Sequence, residues 1–319
     1  MNKRPTWKHI PKLAIEAIES KFASRIVEVQ SIDGGYSSMG RFQLIFHNGT
    51  HLFAKVDHSE NTAKGRDAFR AELYNYQNIP QVANFGPEYA GVLRFEEWHF
   101  IFLQWIPDRV QTPPWSTSQV HHVVDRLVQL HSTKPSKFFG MTKPQLKLTP
   151  QNNWRRLIES ETQLRSWSTM FEAPYKERAW LSKHQDRILE LESISNTFTY
   201  EKCPVHLDLR SDNILISDKG IVTFVDWPYL TVGPRWLDLC FWLPGLEVEG
   251  GPPAEEVIAY YETKWHRGFR KEEIVLAAIL VSGFFAFYSH QPELKGLADL
   301  RALQKRQFHP AYEWLKRVL

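Results

Sequence analysis

The first hundred residues of this chain read mainly as strands. Residues 25–32 alternate loosely between apolar and polar, and residues 42–46 follow a loop of small residues. His47-Asn48-Gly49-Thr50 then supplies an Asn-Gly turn, the strongest short hairpin signal, with residues 51–56 as the return strand. A polar stretch leads into a helix predicted over residues 62–78, with Phe69, Leu73 and Tyr76 on one face. Residues 91–95 and 99–106 read as a further hairpin closed by Glu96-Glu97. The predicted order is three strands, a helix and two strands, a small antiparallel sheet carrying one helix.

After Pro107 the pattern turns helical. Pro113-Pro114 precedes Ser116, Thr117 and Ser118, any of which can cap the next helix. There Val120, Val123, Val124 and Leu127 recur at the spacing of one buried helical face. Residues 152–167 and 175–191 read as two more helices, and residues 214–217 and 221–225 as a short strand pair turning at Asp218-Lys219-Gly220. From Trp236 onward the chain reads as helical. The expectation is an α+β, two-lobed unit, with residues 1–106 as a smaller lobe and 107–319 as a larger, mainly helical one. Their boundary reads as a hinge, since no flexible tract separates them.

Composition narrows the classes. Hydrophobic residues make up 43% and aromatics 13%, enough for a large core and against disorder. A net charge of +3, from 39 basic against 36 acidic residues, is too weak a bias for nucleic-acid binding. The most apolar run, residues 274–288, falls short of the ~20 residues of a spanning helix and reads as a buried helix. No apolar core follows Lys3, Arg4, Lys8 and Lys12, so no secretory signal is read. Two cysteines, Cys203 and Cys240, make no disulfide framework, and Cys203 reads as a packed thiol. These readings imply a cytoplasmic protein without a membrane or nucleic-acid partner; they leave the oligomeric state open.

The segment His206-Leu207-Asp208-Leu209-Arg210-Ser211-Asp212-Asn213, followed by a short hairpin and Asp226-Trp227, carries the chemistry. Phosphoryl transfer needs a carboxylate to orient the acceptor hydroxyl and take its proton, and hard oxygens to hold magnesium against phosphates. Asp208 suits the first role, and Asn213 and Asp226 the second, because the hairpin brings positions 213 and 226 together at its open end. Upstream, Lys55 lies on a predicted strand among apolar neighbours, where an ammonium needs an anion. Glu72, 72 − 55 = 17 residues on, sits on the first helix and can pair with it. Gly34, Gly35, Ser37 and Ser38 form a small-residue loop whose N–H groups can face phosphates.

The stretch from Val205 to Asp226, with the later Gly233-Pro234-Arg235-Trp236-Leu237-Asp238-Leu239, resembles the aminoglycoside phosphotransferase family, which has a protein-kinase-like fold. The resemblance implies that Asp208 is the catalytic aspartate, that Asn213 and Asp226 are magnesium ligands, and that Lys55 and Glu72 hold the α- and β-phosphates. It further implies that backbone groups of Gln104 and Ile106 meet the purine edge, and that Asp238 steadies the catalytic loop. Arg210 is placed to neutralise the transferring phosphoryl group, with a structural role as the alternative. Two departures stand out: Leu207 occupies a position where the family commonly has a smaller residue, and Trp227-Pro228 replaces the Phe-Gly of protein kinases.

The expected activity is therefore transfer of the γ-phosphoryl group of ATP or GTP to a hydroxyl of a small molecule, first an aminoglycoside-type antibiotic. The alternatives are a metabolic kinase of choline, an amino alcohol or a sugar, and a nucleotide-binding protein without transferase activity. A polycationic acceptor wants carboxylates, and Glu247, Glu249, Glu255 and Glu256 or Glu159 and Glu161 are the candidates; each group reads first as solvated surface. His121, His122 and His131 read as helix-surface or helix-end residues.

Overall fold

The computed structural model describes residues 4–33, 37–107, 109–137, 152–195, 201–293 and 299–319. A five-stranded antiparallel sheet is built from β1 (Ile26–Ser31), β2 (Gly40–Phe46), β3 (His51–His58), β4 (Tyr89–Phe95) and β5 (Trp98–Gln104), in the order β1-β2-β3-β5-β4. The β2–β3 hairpin turns at Asn48-Gly49, where Gly49 has a φ of 81°. Register is set by that turn: Phe42 faces Ala54, and Arg41 faces Lys55.

Period two sorts the sheet into two faces. Phe42, Leu44, Ala54, Val56, Phe100 and Phe102 pack against Ala14 and Ile18 of α1 (Lys12–Lys21). Ile101 and Leu103 pack on the other face with Phe69, Leu73 and Tyr76 of α2 (Ala63–Asn78). Thr62 caps α2, its hydroxyl accepting from the Gly65 amide at 3.1 Å. The helix α1 and the short α3 (Pro80–Phe85) are additions to the predicted order, and α1 supplies the cover for one sheet face.

The helical part begins with α4 (Thr117–Ser132), capped by a reciprocal Ser116–Gln119 box, with Val120, Val123, Val124 and Leu127 buried. The single helix predicted over 152–167 is instead α5 (Asn153–Ile158) and α6 (Glu161–Ser168). Ser160 interrupts it by accepting from the Gln163 amide at 3.4 Å and starting a new helix. Next come α7 (Pro174–Ile194), strand β6 (Lys202–Val205), the hairpin β7 (Ile214–Ile216) and β8 (Val222–Phe224), and β9 (Thr231–Pro234), which pairs with β6. Helices α8 (Trp236–Val248), α9 (Ala254–Trp265), α10 (Lys271–Tyr288) and α11 (Leu300–Val318) complete the chain. The apolar run at 274–288 is indeed the buried helix α10. Trp154, Trp167 and Tyr312 form an aromatic knot beside it, with ring centroids 5.8–6.2 Å apart. Among the described residues no helix is long and apolar enough to cross a membrane.

Candidate functional site

The sheet and the helical part meet along a cleft lined by Phe53, Lys55, Leu103, Trp105, Asn213 and Asp226, among others. Lys55 points into it because odd positions of β3 face away from α1. It is 3% exposed, and its Nζ lies 2.5 Å from Glu72 Oε2 and 2.8 Å from Asp226 Oδ1. Burial alone would lower the Lys55 pKa, but Asp226 and Glu72 outweigh it and raise it, so the ammonium stays charged. Burial likewise works against ionisation of Asp226, yet Lys55 and Arg41 hold its carboxyl well below the usual carboxylate range. For Glu72 burial prevails over Lys55, and its pKa is raised.

Asp208 is aimed by a turn rather than by a regular element. Leu207 before it has a φ of 66°, a left-handed conformation that a leucine adopts only when held. The holder is Asp238, which is 1% exposed and accepts from the His206 amide at 2.7 Å and the Leu207 amide at 2.6 Å. His131 backs it, with Nε2 at 3.1 Å from Asp238 Oδ2 and Nδ1 at 2.8 Å from the Tyr261 hydroxyl. His131 sits in the last turn of α4, the helix-end position expected for it, yet it is 3% exposed because it packs against Tyr261 of α9 and Asp238. His121 is half-buried against Tyr260, ring to ring at 3.7 Å, and His122 is exposed, as expected.

His206 joins the two sides of the site. It is fully buried; Nε2 donates to the Val225 carbonyl at 3.0 Å, and Nδ1 accepts from the Asp208 amide at 3.3 Å. That pattern requires a neutral ring, and burial lowers its pKa accordingly. The Val225 amide returns a bond to the Asn213 carbonyl at 3.0 Å, so the β7–β8 hairpin closes with Asn213 and Asp226 side by side. Asp226, at a φ of 65°, turns its carboxylate back to Lys55. Asn213 donates Nδ2 to the Asp208 carbonyl at 2.8 Å and to its carboxylate at 3.2 Å, leaving its own amide oxygen for a cation.

Arg210 bonds Asp208 Oδ1 at 3.1 Å and clasps Asp212 with Nε at 2.9 Å and Nη2 at 3.1 Å. Burial raises the Asp208 pKa in spite of Arg210, although its side chain keeps 22% of its surface exposed. Ser37 accepts from Arg41 at its hydroxyl and from Arg4 at its carbonyl, each at 3.0 Å, and Ser38 packs over Gly65. Gly34 and Gly35 lie outside the described residues. Gln104, Trp105 and Ile106 form the cleft wall after β5, and the Arg109 guanidinium stacks 4.7 Å from the Trp105 ring.

Sequence reasoning missed Arg41, whose Nη2 lies 3.8 Å from Asp226 Oδ2. Counting outward from the Asn48-Gly49 turn pairs it with Lys55 and would have found it. The acidic candidates are mostly engaged elsewhere. Glu249 accepts from Ser211 at 2.7 Å and from Trp115 at 2.8 Å; Glu255 pairs with Arg317 at 2.8 Å, Glu161 with Arg178 at 3.0 Å and Glu159 with Arg155 at 3.1 Å. A second cavity of ≈ 320 Å³ lies at Arg235, Arg267 and Arg270 and shares no lining residue with the cleft.

The fold has counterparts among known proteins. The chain is similar in fold to an aminoglycoside phosphotransferase from Alicyclobacillus acidocaldarius (17% identity, 99% of this chain and 96% of that one, TM-score 0.61). It is also similar to the choline kinase from Streptococcus pneumoniae (15%, 97% and 99%, 0.57). A spectinomycin phosphotransferase solved with ADP and its antibiotic is a third such structure (14%, 97% and 98%, 0.55). At these identities the likeness establishes the protein-kinase-like fold. No curated protein matches the sequence. The model of the phosphotransferase enzyme family matches residues 28–272, from the first strand into the start of α10, and the chain belongs to that family.

Proposed function

We propose that this protein is a kinase that moves the γ-phosphoryl group of ATP or GTP to a hydroxyl of a small molecule, with Asp208 as the base and Lys55 on the phosphates. The observation that carries the reading is the convergence of Asp208 and Asn213, on one loop, with Asp226, beyond the β7–β8 hairpin, beside a buried lysine. Asp208 orients the acceptor hydroxyl and takes its proton; Arg210 keeps that carboxylate from turning away. The Asn213 amide oxygen and the Asp226 carboxylate suit magnesium, a hard cation that commonly takes one or two protein oxygens and completes its shell with phosphate and water. Bound there, the metal would supply charge neutralisation on the phosphates. The rest of the rate gain would come from positioning.

An aminoglycoside-type antibiotic is the first acceptor class, in line with the names of two fold neighbours. A second reading, an amino alcohol such as choline, gains from one observation: Glu159, Glu161 and Glu255 are already paired with arginines, which leaves fewer carboxylates for a polycation. Mass spectrometry decides between them. Protein, magnesium and ATP or GTP are incubated with aminoglycosides, other antibiotics, choline-like amines and sugars, with Asp208→Asn as the blank. A product carrying one added phosphoryl group, absent from the blank, is expected. Nucleotide binding without product from any acceptor would leave a binding protein and overturn the kinase reading.

A further inference from the structure

Asp226 is approached by two cations, one on each oxygen. Lys55 holds Oδ1 at 2.8 Å, and Arg41 lies 3.8 Å from Oδ2. The two cations are cross-strand partners on β2 and β3, so they share the face of the sheet that looks into the cleft. Both are buried, at 8% and 3% exposure. We propose that Arg41 is a second phosphate-binding cation: with metal and nucleotide in place, its guanidinium leaves Asp226 and takes β- and γ-phosphate oxygens beside Lys55. This rests on the nucleotide-binding reading above and deepens it.

Three observations favour the exchange. First, a carboxylate that takes a metal gives up the charge it shares with Lys55 and Arg41. Lys55 keeps Glu72 at 2.5 Å, and Arg41 loses negative charge at the Asp226 oxygen that it faces at 3.8 Å. Phosphate, arriving with the metal, restores it.

Second, the guanidinium is held ready by Ser37, just before β2. Its Nη2 donates to the Ser37 hydroxyl at 3.0 Å, two residues past Gly35 in the sequence. A planar guanidinium fixed in this way matches two phosphate oxygens better than an ammonium does.

Third, like charges crowd this loop. Arg4 donates to the Ser37 carbonyl at 3.0 Å, so Arg4 and Arg41 grip the same residue. Burial and then Arg41 lower the Arg4 pKa, while Asp33 raises it, so the two guanidiniums repel each other across Ser37. An arriving polyphosphate relieves that repulsion.

The test is calorimetric titration of nucleoside, mono-, di- and triphosphate, in the adenine and guanine series with magnesium. It compares the unmodified protein, Arg41→Met, Arg41→Lys and Lys55→Met. Arg41→Met is expected to weaken di- and triphosphate binding about tenfold to a hundredfold, the range for a lost charge-assisted bond. Nucleoside and monophosphate binding should stay unchanged. Arg41→Lys keeps the charge and the stem and should lose less. It is the variant to read if Arg41→Met melts early, and full triphosphate affinity in it would count against the guanidinium. Triphosphate binding unchanged in Arg41→Met but lost in Lys55→Met would overturn the proposal and leave the nucleotide reading intact. An equal loss across all four ligands would make Arg41 a structural residue. No binding by the unmodified protein would remove both readings.

Discussion

Replacing Lys55 by Met probes the electrostatic centre of the cleft without touching the loop that carries Asp208. The side chain keeps its length and much of its volume, while the ammonium between Glu72 and Asp226 disappears. Glu72 is 1% exposed and the Asp226 side chain 17%, so neither carboxylate can turn to water for compensation. Removing one partner of a buried pair costs about 3–5 kcal/mol. Arg41 still faces Asp226 at 3.8 Å, which places the expected loss at the lower end, about 3 kcal/mol at pH 8.

The pH dependence fixes the sign of that argument. A carboxylate with a depressed pKa, here Asp226, contributes stability above the ordinary aspartate value and loses it as pH falls through its folded-state pKa. One with a raised pKa, here Glu72, contributes below the ordinary glutamate value and loses it as pH rises. Lys55→Met moves both upward, so the variant takes up protons that the parent does not as pH falls from about 8 towards 5. Each pH unit over which one extra proton is bound returns about 1.4 kcal/mol. Urea unfolding at pH 8, 6.5 and 5 measures the deficit, provided the slopes of parent and variant agree. The deficit should shrink as pH falls. A constant deficit, or one that grows at pH 5, would refute the claim that the ammonium neutralises buried carboxylates.

Four further outcomes follow from the same site. Asp208→Asn should lower turnover by about a hundredfold to ten-thousandfold, the usual worth of a positioned base, with nucleotide affinity unchanged by calorimetry. Because burial raises the Asp208 pKa, kcat/KM should fall as pH drops, with a midpoint above about 3.9, and that limb should vanish in Asp208→Asn. Asp226→Ala should abolish the magnesium dependence of nucleotide binding, read as equal affinities with metal and with chelator. His131→Phe strips Asp238 of one of its partners and should cost about 1–3 kcal/mol in urea unfolding while lowering kcat more than it raises the nucleotide KM; an unchanged kcat would show that the clamp does not reach Asp208.

Much of the fold was legible because its signals are local. The Asn48-Gly49 turn, the strand pairs flanking it and Glu96-Glu97, the valine stripe of α4 and the apolar run of α10 each declare themselves within a few residues. The helix pair α5 and α6 was read as one because both halves share a helical pattern. The break depends on the Ser160 side chain choosing a new amide, which composition does not announce. Helix α1 was missed because its apolar face is narrow, with Ala14 and Ile18 as the buried positions, and gains meaning only against the sheet.

The chemistry divides along the same line. The spacing from His206 to Asn213 and on to Asp226 is local, and with the lysine on its strand it determined the reaction class and the residues to inspect. Contacts across long stretches of chain are another matter. Lys55 meets Asp226, Asp238 reaches back to the turn at Leu207, and His131 is drawn from a helix end into the core beneath it. Glu249 accepts from Ser211 and from Trp115, 38 and 134 residues away in the chain. Such partners are set by packing between distant elements, whose geometry no sequence interval encodes. Residue types and spacing determined which groups this protein can offer to the proposed site; the tertiary structure decided which of them face the cleft and which are consumed in holding it, because charge in a buried site is governed by whatever lies within a few ångströms.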